Sequence, residues 1–221
     1  MVSSADAPAG FRQRKAELLF HAGALLLAVV IGFGCWLANA ALCRRADVRG
    51  IPPDRPRQLA GFALTDRTGR TVTREELDGK VLAVSFLFTS CASTCPAVSR
   101  RMAQVQRLTA GEPEVRLVSF TVDPRSDTPP VLAQWGAQYG ADTNRWLMLT
   151  GPKPALQDLI GASFLTTNSG DLFGPMPCNF TGLERIALVD KHGRVRVYFN
   201  GMRDSTPAAV LAEVERLRAE P

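Results

Sequence analysis

Residues Lys80 to Met102 read KVLAVSFLFTSCASTCPAVSRRM. Val81 to Phe88 is a short apolar run rich in β-branched and aromatic side chains, which predicts a buried strand. The run breaks at Thr89-Ser90-Cys91-Ala92-Ser93-Thr94-Cys95-Pro96. Pro96 suits the first position of a helix, where a missing N–H costs nothing. From Ala97 to Leu108 the apolar residues Val98, Met102, Val105 and Leu108 recur at helical spacing, with Arg100, Arg101, Gln104 and Arg107 outward. Two thiols spaced C-x-x-x-C are thus expected where a buried strand hands over to a helix.

Downstream, Val115 to Val122 is a second apolar run and predicts a second buried strand. The turn Asp123-Pro124-Arg125-Ser126-Asp127-Thr128-Pro129-Pro130 follows, with Thr128 as N-cap and Pro129 as the first helical residue. That helix is expected to run to about Tyr139, with Val131, Leu132 and Trp135 facing inward. A third strand is expected at Arg145–Thr150 and a short helix at Pro154–Ile160. Gly161 to Thr181 has no clear periodicity and reads as a long loop. A fourth strand, Arg185–Asp190, turns through Lys191-His192-Gly193 into Val195–Phe199. A last helix, Thr206–Arg218, turns Val210, Leu211, Val214 and Leu217 inward. Upstream, Phe62–Asp66 and Arg70–Thr73 flank Arg67-Thr68-Gly69 as a hairpin, and Arg74–Asp78 forms one helical turn closed by Gly79. Alternating strands and helices predict an α/β domain with its strands buried between helices. A thiol pair at the first crossover resembles a thioredoxin-like core carrying an N-terminal hairpin extension.

The chain holds more than this domain. Leu18 to Leu42 contains no formal charge and is long enough to cross roughly 30 Å of hydrocarbon as a helix. Basic residues flank it on both sides, so charge does not orient it. Ala38-Asn39-Ala40 resembles a signal-peptidase site, but the apolar run exceeds the usual length of a signal core. The expectation is an uncleaved single transmembrane anchor at 18–42. It would follow a cytoplasmic tail at 1–17 and precede a Pro-rich tether at 43–57 and the thioredoxin-like domain at 58–221.

The overall charge of +5 overstates the domain's own, because residues 46–221 hold 21 basic and 19 acidic side chains. These are scattered, without a basic stripe interleaved with aromatics, and nucleic acid is excluded as a partner. Of the five cysteines, Cys35 falls in the apolar span and Cys43 just after it. Cys91, Cys95 and Cys178 remain in the exported part, which excludes a disulfide-rich scaffold.

A thiol at a helix N-terminus meets unpaired N–H groups and the positive end of the helix dipole, so its pKa falls below the free value of about 8.5. Thiolate attacks disulfides and binds soft metals, and one location serves both chemistries. Cysteines four apart can share a helical face, close enough for a disulfide or for clamping Cu(I). Zinc is disfavoured: structural sites take four ligands, and the domain's single histidine, His192, reads as a solvated turn residue. The plainest alternative is a pair of buried, inert cysteines, against which the placement at a strand-to-helix turn argues.

Phe88-Thr89-Ser90-Cys91-Ala92-Ser93-Thr94-Cys95-Pro96 resembles the signature of the Sco/SenC family of copper-handling, thioredoxin-like proteins. Asp123-Pro124-Arg125-Ser126-Asp127-Thr128-Pro129 resembles that family's second motif, and the strand ending at Asp190 also fits. The resemblance covers residues 57–218. It implies a bacterial inner-membrane protein with one anchor and its domain in the periplasm. Copper, as Cu(I), would be held by two cysteines and a histidine, and the client would be a respiratory oxidase, through its subunit II. Some members are implicated instead in reducing the client's cysteines. The family's histidine stands eight residues before the strand-end aspartate, and here that position is Gly182. Cys178 or Met176, a few residues upstream, is the substitute expected for the imidazole, giving a metal set of Cys91, Cys95 and Cys178. Two readings follow: a copper-binding assembly protein, and a thiol–disulfide oxidoreductase with Cys91 and Cys95 as its catalytic pair. A peroxidase is disfavoured, since no polar peroxide site is evident.

Overall fold

The structure is a computed structural model that describes residues 21–37, 50, 52–53, 57–164 and 182–220. The chain divides into two units, Met1–Arg44 and Arg45–Pro221. Within the first, residues 21–37 form helix α1, whose side chains are exposed throughout. Among the described residues no helix is long and apolar enough to cross a membrane, and both ends of the expected 18–42 span lie outside them.

The second unit is built on an eight-stranded sheet in the order β1-β8-β7-β4-β5-β6-β2-β3. Its centre is β4 (Val81–Leu87), every residue of which is buried. β4 pairs in parallel with β5 (Val115–Thr121), from Val81↔Val115 to Leu87↔Thr121, and antiparallel with β7 (Arg185–Val189). A strand covered on both faces has no solvent side, which is why its sequence is apolar but for Ser85 rather than alternating. Alternate residues still divide between the faces. Val81, Ala83 and Leu87 point into a core with Val98, Met102 and Val105 of α2 (Thr94–Leu108), Leu132 and Trp135 of α3 (Pro129–Gln138), and Val210, Val214 and Leu217 of α5 (Thr206–Ala219). Leu82, Val84 and Phe86 point into a second core with Leu156, Leu159 and Ile160 of α4 (Lys153–Ser163). Each such Leu or Phe contributes about 1.5–3 kcal/mol on full burial.

Strands β5, β4, β7 and β8 (Arg194–Asn200), with α2 crossing from β4 to β5 and α5 following β8, make the thioredoxin-like arrangement expected from the sequence. Beyond β5 lies β6 (Trp146–Thr150), again parallel. The N-terminal hairpin, β2 (Ala63–Asp66) and β3 (Thr71–Thr73), extends the sheet by pairing β2 with β6. Its turn is organised by Asp66, whose Oδ1 accepts the Thr68 N–H (2.8 Å), the Thr68 hydroxyl (2.6 Å) and the Arg70 N–H (3.0 Å).

Several boundaries differ from the sequence reading, each for a tertiary reason. β4 stops at Leu87, leaving Phe88 half-buried in the turn. α2 starts at Thr94, so Pro96 is its third residue, still within the turn whose N–H groups lack intrahelical partners. Its buried stripe ends on Thr109, whose hydroxyl donates to the Val105 carbonyl at 2.9 Å, while Leu108 is 48% exposed. α4 continues to Ser163, whose Oγ accepts the Ala60 N–H at 3.0 Å, so its last residues belong to a helix rather than to a loop. Leu211 and Val131 are only half-buried. Arg57, assigned from sequence to the tether, opens the two-residue strand β1 (Arg57–Gln58) against β8. The remainder of the expected 161–181 loop lies outside the described residues.

Candidate thiol site at the strand-to-helix junction

Cys91 and Cys95 sit at the end of β4 where α2 begins. The turn between them forms because the Cys91 N–H donates back to the Phe88 carbonyl at 3.1 Å. Ser93, the residue before α2, makes no capping bond through its side chain. Cys91 takes that role instead: its Sγ accepts the Cys95 N–H at 3.3 Å. This thiol cap sets the Cys91 sulfur, three residues ahead of α2, against the first turn that carries Cys95.

The pair is asymmetric. Cys91 is half-buried and Cys95 is 1% exposed, and neither is in a disulfide. Partial burial alone would raise the Cys91 thiol. The backbone N–H groups of Cys95, Ser93 and Thr94 and the Cys95 thiol outweigh it and hold Cys91 below the ordinary thiol range. Burial, the largest cause, pushes Cys95 up to about 12; the Phe88 backbone opposes this, and the charges on Cys91 and Asp127 add to it. The Cys91 sulfur is therefore the easier of the two to ionise, and burial holds Cys95 toward its thiol form.

Thr89 flanks the pair and is tied to the second motif. Its N–H and its hydroxyl both donate to Asp127 Oδ1, at 3.0 and 2.6 Å. Sequence reasoning took the 123–130 segment as a helix-capping turn and as the family's second motif; it missed that Asp127, fully buried, reaches back to the thiol loop. A carboxylate in a Pro-rich turn carries no sequence signal of burial. Thr128 and Pro129 do occupy the N-cap and first turn of α3 as expected, though the Thr128 side chain makes no capping bond.

His192 lies at the other end of the sheet. β7 runs antiparallel to β4, with Leu82 opposite Val189 and Ser85 opposite Ile186, so the turn after β7 emerges beside the start of β4. His192 is exposed there, its N–H donating to Asp190 Oδ1 at 3.0 Å, which agrees with a solvated turn residue. The 3-10 turn Gly182–Glu184 packs against β4 and α2 at the thiol end. Position 182 thus reaches the right neighbourhood with a residue that offers no donor. Cys178 and Met176 lie outside the described residues. Among the described residues no group of three or more His, Cys, Asp or Glu side chains is arranged to hold a metal ion. Two adjacent sulfurs, one readily ionised, are a soft donor set that fits Cu(I) better than a hard divalent ion.

A family model described as SCO1/SenC matches residues 52–219. The chain belongs to the SCO1/SenC family. The SCO1 protein homologue of Bacillus subtilis is 36% identical over 95 residues, covering 42% of this chain and 49% of the relative. The chain thus spans about half the length of that relative. Among solved structures, a SCO1/SenC family lipoprotein from Bacillus anthracis superposes with a TM-score of 0.63 at 27% identity, covering 75% of this chain and 98% of the other. The copper-bound structure of ScoI from Bradyrhizobium japonicum gives 0.55 at 26% identity, covering 72% and 98%. These likenesses bear out the thioredoxin-like α/β fold.

Proposed function

We propose that this SCO1/SenC protein binds copper, as Cu(I), through Cys91 and Cys95 and passes it on during assembly of the copper centre of a respiratory oxidase. The observation that carries this reading is the adjacent sulfur pair at the mouth of α2, one half-buried and one buried, in a family with a copper-bound member. Copper is cargo here rather than a resident cofactor, and the client is oxidase subunit II or a comparable copper-receiving protein. Cys178 supplies the third donor in this reading, in place of the imidazole absent at Gly182. The 18–42 run anchors the protein in the bacterial inner membrane, with residues 1–17 cytoplasmic, the tether from 43 ending ahead of strand β1 at Arg57, and the domain periplasmic. The helix at 21–37, with its exposed apolar side chains, supports that placement.

The protonation asymmetry favours a second reading, thiol–disulfide exchange. The Cys91 thiolate attacks one sulfur of a client disulfide, and the other client sulfur leaves as a thiolate. Cys95 then gives up its proton and attacks Cys91 Sγ, releasing the second client thiol. The client gains two electrons and the pair becomes a disulfide, which an external dithiol must reduce.

Competition of the full-length, detergent-solubilised protein against a Cu(I) chelator separates the two. The copper reading expects Cys91→Ser to weaken binding more than about a hundredfold, beyond the usual effect of losing an outer partner. Equal affinity in the variant and the parent overturns it. An affinity unchanged by Cys178→Ser removes Cys178 from the donor set.

A further inference from the structure

Asp127 has no cationic partner among the described residues, although it is fully buried. Its bonds come from neutral donors. Oδ1 takes both bonds from Thr89, and Oδ2 accepts the hydroxyl of Thr121 at the end of β5. Thr121 Oγ1 in turn accepts the Asp123 N–H at 3.0 Å, and the Asp127 N–H donates to the Asp123 carbonyl at 3.0 Å. The whole Asp-Pro-Arg-Ser-Asp turn is therefore folded so as to hold one carboxylate against the thiol loop.

A buried carboxylate without a cationic partner is costly unless its oxygens are hydrogen-bonded, and here three neutral donors are folded around it. Helix capping does not account for it, since Thr128 occupies the N-cap of α3. What the carboxylate grips is informative. Thr89 stands two residues before Cys91, in the turn closed by the Cys91 N–H on Phe88. With β5 fixed to β4 through Leu87↔Thr121, the Thr121–Asp127–Thr89 bridge pins that turn from outside, while the Cys91–Phe88 bond closes it from inside. For Cys91 Sγ to meet the Cys95 N–H, the turn must stay in place.

We infer that Asp127 is a positioning residue for the C-x-x-x-C pair, acting through Thr89 to hold Cys91 at the mouth of α2. The inference rests on the proposal that Cys91 and Cys95 are the working thiols. It gives the second motif a task at the same site.

The test uses the full-length protein in detergent, carrying Thr89→Val, Thr89→Ser, Asp127→Asn or Thr89→Val with Asp127→Asn. Two quantities are read on each: Cu(I) affinity by chelator competition, and the dithiol–disulfide equilibrium of Cys91–Cys95 in a glutathione buffer by thiol trapping. Thr89→Val is expected to weaken Cu(I) binding about tenfold and to move the thiol equilibrium by a comparable factor. Thr89→Ser, which keeps the hydroxyl, restores both. The double variant falls no further than Asp127→Asn alone, because the two residues act as one unit. Thermal melting is followed in parallel, since a purely structural role lowers the melting temperature without the serine rescue of the thiol equilibrium. Parent-like Cu(I) affinity and thiol equilibrium in Thr89→Val overturn the inference. Should the parent bind Cu(I) no better than Cys91→Ser, the copper reading fails, and the thiol-equilibrium arm still decides the role of Asp127.

Discussion

Two cysteines four residues apart have opposite properties because one accepts backbone N–H bonds and the other is sealed beneath the first helical turn. Cys91 titrates below the ordinary thiol range and Cys95 at about 12. Alkylation by iodoacetamide, followed by peptide mapping between pH 5 and 10, should modify Cys91 with a midpoint below that of the same cysteine in the unfolded chain. Cys95 should remain unmodified until the protein is unfolded. Equal labelling of the two at neutral pH would falsify the asymmetry. The linked stability effects have opposite signs. The depressed Cys91 contributes stability above the unfolded thiol pKa, and loses it as pH falls through its own lower value. The raised Cys95 contributes fully below the unfolded value, and loses its share as pH rises toward about 12. The placement of both thiols was legible from strand, spacing and proline. Their difference was not, because it depends on which sulfur the helix buries.

The hairpin β2–β3 is locked to the body by an arginine that crosses a helix. Arg67 is 7% exposed, and its Nη2 donates to the Ala141 carbonyl at 2.7 Å, just past the end of α3. It passes directly over Gly136, where an added Cβ would overlap Nη1 and stand 3.0 Å from Cζ. The absence of a side chain at 136 is therefore what lets the guanidinium through. In a helix interior alanine is about 0.8–1 kcal/mol better than glycine, so a net loss on Gly136→Ala reports displacement of the arginine. Urea denaturation should show Gly136→Ala destabilised by about 1–3 kcal/mol. In an Arg67→Met background the same change should be neutral or stabilising, and full additivity would refute the coupling. The hairpin and α3 were both legible from their own residues. This contact joins positions that no local pattern relates.

On the scale of the molecule, a two-faced sheet with helices on both sides fixes the thiol turn between β4, β5 and α2. A ligand that binds only this folded arrangement stabilises all of it by mass action. Cu(I) at a free concentration a hundred times its dissociation constant adds about 2.7 kcal/mol, which corresponds to a rise of roughly 5–10 °C in melting temperature for a domain of this size. Differential scanning fluorimetry of the full-length protein with buffered Cu(I) should show that rise, and Cys91→Ser should abolish it. A shift that survives in Cys91→Ser places the copper elsewhere on the chain.

Local sequence was enough for most of the elements and their order, strand β1 and the 182–184 turn excepted, because apolar periodicity, proline and glycine act within a few residues and leave a readable pattern. It also placed Cys91 and Cys95 at the junction and Gly182 where the family's histidine is expected. It took the folded chain to show that Cys91 caps α2, that Cys95 lies buried behind it, and that Asp127 reaches across from the next crossover to Thr89. Only the register of β7 on β4 put His192 at the far end of the sheet from the thiols. Those facts follow from strand pairing and burial between residues distant in sequence, and such pairing is a property of the folded sheet rather than of any segment.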